Sequence, residues 1–216
     1  DEISVIMMCI GANHMGVRGM CATSGGGFAL MSEAIGMAGI IETPAVIINV
    51  MRAGPSTGVP TKTEQADLNQ ALGASQGDFQ RVVLAPISMG DCFVTPAVAF
   101  DVADKYQIPV LILADLLLCE GSETIATEIL DVEFPIDRGK LITTADGPRQ
   151  EPYLRYKDTP SGISPRAIPG LPGYLYVSGT DEHDEDGVLL SDVFTDPIRR
   201  KKMVDKRHRK MSTILK

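Results

Sequence analysis

The sequence predicts an α/β fold: a parallel sheet flanked by helices, continued by an extended C-terminal arm. Three observations carry that prediction. Ala45–Met51 (AVIINVM) and residues 110–114 (VLILA) are continuous apolar runs, the composition of parallel strands buried on both faces. Helix-length segments alternate with strand-like ones over residues 1–120, the pattern of βαβ units. Beyond residue 120 the alternation stops, and Pro, Gly and charge take over.

Taken in order, residues 3–15 are apolar nearly all round and read as a buried helix. Residues 17–23 are short and strand-like and run into Ser24-Gly25-Gly26-Gly27. Residues 28–41 have helical length, and Pro44 stops them. After the first apolar strand comes a Gly/Pro/Ser/Thr loop at 52–61, then a helix at 64–74, a strand at 82–85, a helix at 91–106 and the strand at 110–114. Residues 1–120 thus form the core domain. Residues 121–196 read as an arm lying along another surface. Residues 197–216 read as a solvated or partner-facing basic helix leading to a further domain. That helix carries eight Lys/Arg and one Asp between 198 and 215.

Composition narrows the function classes. The net charge is −8, Trp is absent and aromatics are 5%, which disfavours nucleic acid as a partner. No run approaches the ~20 apolar residues of a membrane span, and no signal-peptide pattern occurs. Cys9, Cys21, Cys92 and Cys119 form no close pair, so no metal site is expected from this chain. Their apolar settings predict buried free thiols in a reducing, cytoplasmic compartment. Residue 1 is Asp and an apolar run starts almost at once, as in the middle of a domain. The expectation is a segment of a larger polypeptide.

Ligands of open parallel sheets bind beyond the carboxyl ends of the strands. Two segments fall there. Residues 52–63 (RAGPSTGVPTKT) make a stiff, donor-rich loop in which Arg52 suits a carboxylate and Thr hydroxyls a neighbouring oxygen. The competing reading is an ordinary strand-to-helix loop with Thr63 as N-cap. Thr23-Ser24-Gly25-Gly26-Gly27 would let backbone amides approach an anion, or would be only a tight packing turn. It is neither GxGxxG nor a Walker loop. Glu2, at the start of the first helix, suits the helix dipole and by itself says nothing of catalysis. His14 reads as a core or interface residue. His183, in the acidic run 181–186, reads as part of a solvated loop, since the run lacks the Gly that a Ca²⁺ loop needs at its sixth position. The Met-rich early helices suit a deformable core or a subunit interface.

Together, Glu2-Ile3-Ser4 through Gly11-Ala12, Gly16-Val17-Arg18, Ala22 to Met31, Glu42-Thr43-Pro44, Arg52 to Leu68, Ile136 to Lys140, Ser164 to Ala167 and Asp181 to Glu185 closely resemble the alpha subunit of 2-oxoacid:ferredoxin oxidoreductases, in the two-subunit 2-oxoacid or 2-oxoglutarate type. The resemblance implies a thiamine diphosphate enzyme, with residues 1–120 holding the aminopyrimidine ring. It implies that Glu2, with Gly11 nine residues on, hydrogen-bonds the pyrimidine nitrogen and so prepares removal of the thiazolium proton. It implies that Arg52 and Thr61, also nine apart, recognise the 2-oxoacid, and that Thr23, Ser24 and Gly25 line the cofactor pocket. Coenzyme A would take the acyl group, and ferredoxin the electrons. The family's Tyr-Pro-x-Thr-Pro loop and a Gly-Asp-Gly…Asn motif do not occur in these residues, and Gln65-Ala66-Asp67 stands for Gln-Gly-Asp. The implication is that Mg²⁺, diphosphate and iron–sulfur ligands come from a beta subunit in a hetero-oligomer. A non-catalytic scaffold of the same ancestry, or another thiamine-dependent decarboxylase or transketolase component, remains an open alternative.

Overall fold

Alternating side chains on two central strands divide the molecule into layers. In the computed structural model, which describes residues 1–145, 147–190 and 196–215, a four-stranded parallel sheet has the order β1-β2-β4-β3. The strands are β1 (Met20–Thr23), β2 (Ala45–Met51), β3 (Val82–Leu84) and β4 (Pro109–Asp115). Ala45, Ile47, Leu111 and Leu113 pack with Ile6, Ile10, Phe28, Met31 and Ile35 on one face. Val46, Val110 and Ile112 pack with Ala99 and Ala103 on the other. Helices α1 (Glu2–His14) and α2 (Gly25–Ile40) therefore cover the first face, and α4 (Met89–Tyr106) the second. The apolar runs are continuous because both faces are covered.

Several elements depart from the sequence expectation. In α1, Ile6, Cys9, Ile10 and Asn13 are buried, but Ile3, Met7 and Met8 are exposed, so this helix shows one bare apolar side. The three glycines expected in a turn are the first turn of α2. The helix expected over 64–74 shrinks to α3 (Leu68–Leu72), because the side chains before it are tied to other elements. A short helix, α5 (Leu116–Glu120), follows β4 directly. Cys9 and Cys21 are buried, but Cys92 is half-buried and Cys119 is exposed.

The arm has little regular structure, as its composition suggests: a 3₁₀ turn at Thr127–Ile129 and a two-stranded parallel pair, β5 (Leu141–Ile142) and β6 (Arg166–Ala167). The surface it lies on is the chain's own α/β body. Asp104 on α4, 2% exposed, binds Arg138 and Arg166 of the arm at 2.6 and 3.0 Å and Arg18 at 2.9 Å. Residues 146 and 191–195 of the arm, and residue 216, lie outside the described residues.

The basic helix, α6 (Pro197–Ile214), is not solvated all round: one face of it is buried on the chain itself. Lys206 and Lys210 are buried and both pair with the fully buried Glu42, Lys210 at 2.6 Å. Arg155, also buried, donates to the Glu42 carbonyl at 2.7 Å. The acidic run is the counterpart of this helix. Glu182 takes a two-point bond from Arg207 at 2.8 Å, and Glu185 and Asp184 face Lys202 and Arg199. His183 is therefore fully buried rather than solvated, 3.9 Å from the Tyr156 ring, and burial pushes its pKa down. Among the described residues no helix is long and apolar enough to cross a membrane, and no cluster of three or more His, Cys, Asp or Glu could hold a metal ion.

Candidate active site

Two helix N-termini meet at the carboxyl end of β1. Asp1 caps α1, its Oδ1 accepting from the amides of Ile3 at 2.8 Å and Ser4 at 3.1 Å, so the Glu2 side chain is not used by its own helix. It reaches instead the first turn of α2. A Cβ on Gly27 would lie 2.8 Å from Glu2 Oε1 and 2.1 Å from Thr23 Oγ1. Glycine is thus what permits this approach. Among the described residues the Glu2 carboxyl has no hydrogen-bond partner. Ser24, the N-cap of α2, keeps its hydroxyl buried and unpaired. Asn49 of β2, opposite Thr23 in the ladder, is fully buried. Its Nδ2 donates to Asp67 Oδ2 at 2.9 Å while its Oδ1 has no partner. Asp67 Oδ2 in turn lies 3.5 Å from where a Gly25 Cβ would be. Glu2, Thr23, Ser24 and Gly25 therefore share one polar recess, and Asn49 and Asp67 complete it.

Buried polar atoms are nearly always paired, and three of the unpaired ones among the described residues lie toward the carboxyl end of this sheet. The third is Arg52 Nε, one residue past the end of β2. The loop that Arg52 begins is closed at its base. Ala53 N donates to Lys62 O at 3.1 Å, Val59 N to Ala53 O at 3.1 Å, and Lys62 N to Val59 O at 3.0 Å. Arg52 and Thr61 thus enter and leave the loop beside the same pair. Thr61 is exposed. Thr63 does not cap the helix that follows; its Oγ1 accepts from Leu117 N, in the first turn of α5, at 2.6 Å. That contact rules out the N-cap role expected of Thr63.

Gly58 holds the loop's shape. Its φ is +54°, and a Cβ there would lie 2.1 Å from the Ala53 carbonyl oxygen. Gly58→Ala is expected to open the loop, with amide exchange at Ala53, Val59 and Lys62 accelerated about tenfold or more. Unchanged protection would show that the loop is held elsewhere.

A cleft of about 680 Å³ lies over the carboxyl ends of β3 and β4, walled by Met51, Gln65, Leu113, Asp115 and Leu117. Glu2, Arg52 and Thr61 are not among its lining residues. The sequence held one overlooked signal for the recess itself: Asn49 is the lone polar residue inside an otherwise apolar strand. Gln65 and Asp67 carried no such signal, because a helix was expected to contain them.

Comparisons with known proteins agree on the fold and the family. Residues 1–198 match the family described as "Pyruvate flavodoxin/ferredoxin oxidoreductase, thiamine diP-bdg". The 2-oxoacid:ferredoxin oxidoreductase 1 subunit alpha of Sulfurisphaera tokodaii is 41% identical over 212 residues, covering 98% of this chain and 32% of that protein. The 2-oxoglutarate synthase subunit KorA of Methanothermobacter thermautotrophicus is 39% identical over 189 residues, covering 87% and 48%. A solved structure of the 2-oxoglutarate:ferredoxin oxidoreductase from Magnetococcus marinus, with 2-oxoglutarate, coenzyme A and succinyl-CoA bound, superposes with a TM-score of 0.85 at 38% identity over 100% of this chain and 36% of that one. The chain spans about a third of the length of the first of these relatives and of the solved structure. With the fold, the family match and these relatives in agreement, the chain belongs to the pyruvate flavodoxin/ferredoxin oxidoreductase family, in its thiamine diphosphate-binding domain.

Proposed function

We propose that this chain is the pyrimidine-binding and acid-recognising part of the alpha subunit of a 2-oxoacid:ferredoxin oxidoreductase. The reaction is oxidative decarboxylation of a 2-oxoacid, 2-oxoglutarate favoured, to acyl-CoA and CO₂, with two electrons passed singly to ferredoxin. The observation that carries the proposal is the Glu2 carboxyl, without a hydrogen-bond partner among the described residues and set in the gap that Gly27 leaves, toward the same end of the sheet as Arg52.

The recess suits an aminopyrimidine. Glu2 offers a carboxyl that can share a proton with a ring nitrogen, and the Ser24 hydroxyl and Asn49 Oδ1 are buried atoms in want of partners. Thr23 and Gly25 complete the wall. Thiamine diphosphate, when bound, supplies the electron sink for the carbanion that decarboxylation leaves. Every other role here belongs to side chains. Glu2 holds and returns a proton at its Oε atoms. Arg52 binds the substrate carboxylate and fixes which carbon faces the cofactor, and the Thr61 hydroxyl meets the oxo or carboxylate oxygen. Ligands for Mg²⁺, diphosphate and the iron–sulfur cluster belong to a beta subunit, coenzyme A is the co-substrate, and the compartment is cytoplasmic. Support for 2-oxoglutarate comes from relatives named for it and from the structural neighbour that holds it.

The test is ferredoxin or viologen reduction by the assembled alpha–beta complex with 2-oxoglutarate, pyruvate and branched 2-oxoacids. Arg52→Ala is expected to raise KM for the 2-oxoacid about 100-fold, the loss of a charge-assisted two-point bond. Unchanged KM and turnover across the panel would reject the catalytic reading in favour of a scaffold role. Activity without ferredoxin or coenzyme A would point to another class of thiamine enzyme.

A further inference from the structure

Between the Arg52 loop and α3, residues 63–67 run as a strap across the carboxyl ends of β2 and β4. Their side chains tie in two directions. Thr63 Oγ1 and Gln65 Nε2 reach the β4–α5 junction, at Leu117 N and Asp115 Oδ2, both at 2.6 Å. Glu64 Oε2 reaches back to Gly54 N at 3.2 Å, and Asp67 to Asn49 of β2 at 2.9 Å. These ties explain why a segment of helical composition is not helical before Leu68.

The Gln65 tie has a particular place. In the β2–β4 ladder Asp115 stands opposite Met51, and Arg52 is the next residue. The loop therefore leaves the sheet at Arg52 and is tied down again at the rung it left. Asp115 is fixed for this duty: its Oδ1 caps α5 through Leu118 N at 2.8 Å, while Oδ2 takes Gln65. The Gln65 amide, with the Leu118 amide, holds the Asp115 carboxyl below its usual pKa, so it is an acceptor at neutral pH. Gln65 and Asp115 also share a wall of the 680 Å³ cleft with Met51 and Leu117.

We infer that Gln65 is a positioning residue for 2-oxoacid recognition, holding the Arg52–Thr61 loop in register through Asp115. The inference rests on the reading of Arg52 as the acid-recognising group. A guanidinium binds a carboxylate at two points only when its plane is correctly set, so a loop displaced by about 1 Å weakens binding without touching the proton relay at Glu2.

The test is a reciprocal exchange in the assembled alpha–beta complex. Gln65→Glu sets two carboxylates face to face and is expected to raise the 2-oxoacid KM about tenfold, with kcat within about twofold. Gln65→Met removes the donor without adding charge and is expected to raise KM about threefold. Gln65→Glu combined with Asp115→Asn restores the bond with donor and acceptor reversed and keeps the α5 cap, since Asn caps as Asp does. KM is expected to return to within about twofold of the parent. A purely structural role would lower kcat and melting temperature together and would show no reciprocal rescue of KM, which overturns the inference. If Arg52→Ala raises KM but Gln65→Glu does not, the strap inference alone fails. If Arg52→Ala leaves KM unmoved, the reading of Arg52 fails first and the inference falls with it.

Discussion

Glu2→Gln in the assembled complex is expected to lower 2-oxoacid-dependent ferredoxin reduction by about two to four orders of magnitude, the range for a positioned acid–base group. The substitution keeps the shape and the hydrogen-bonding reach of the side chain but removes the exchangeable proton. Structure makes this a clean experiment. Asp1, not Glu2, caps α1, and the Glu2 carboxyl has no partner among the described residues, so the amide breaks no internal bond. The cost to stability is the lost attraction between a charge and the helix N-terminus, about 0.3–1 kcal/mol. Thermal unfolding should therefore barely move while turnover collapses. Titration calorimetry with thiamine diphosphate should still detect binding, because Ser24, Asn49 and Thr23 are unaltered. Turnover within about threefold of the parent would remove Glu2 from the proton relay.

The largest effect on stability is expected at Glu42. Its carboxylate is fully buried between Lys206, Lys210 and the backbone contact of Arg155. Glu42→Ala leaves two ammonium groups and a guanidinium buried without their counter-charge, a loss of about 3–5 kcal/mol. Glu42 also has a left-handed φ of +50° at the end of α2. Glu42→Gly relaxes that conformation yet is expected to be nearly as unstable as Glu42→Ala, which isolates the charge as the cause. The pH dependence has a definite sign. Burial alone would raise the pKa of Glu42, but Lys206, Lys210 and Arg155 outweigh it and hold the carboxyl well below its ordinary value of 4.5. In that case the unfolded chain binds the proton more readily than the folded one. The contribution of Glu42 is complete above about pH 4.5 and is lost as pH falls toward the lowered folded value. Urea unfolding between pH 3 and 7 should show this acid-side decline in the parent and a shallower one in Glu42→Gln. A Glu42→Ala protein with an unchanged unfolding midpoint would show that the cluster contributes no net stability.

Sequence alone was sufficient where a physical property repeats locally. Continuous apolar runs identified β2 and β4, because a strand covered on both faces has no polar side to show. Glycine and proline identified the Arg52 loop, because backbone conformation is decided within a few residues. The motif resemblance identified the family and implied roles for Glu2, Arg52, Thr61, Thr23, Ser24 and Gly25. What only the tertiary structure decided were pairings across long sequence separations. Composition made α6 a solvated or partner-facing helix; Glu42, 164 residues before Lys206, buries one face of it. Composition made His183 part of a wet loop; charge pairing with α6 folds that run inward. Local propensity made residues 64–74 helical; Asp115, 50 residues beyond Gln65, helps hold the strap out of the helix. In each case a charged or amide group found a partner that no local window contains, and burial made that partnership stronger than the local preference.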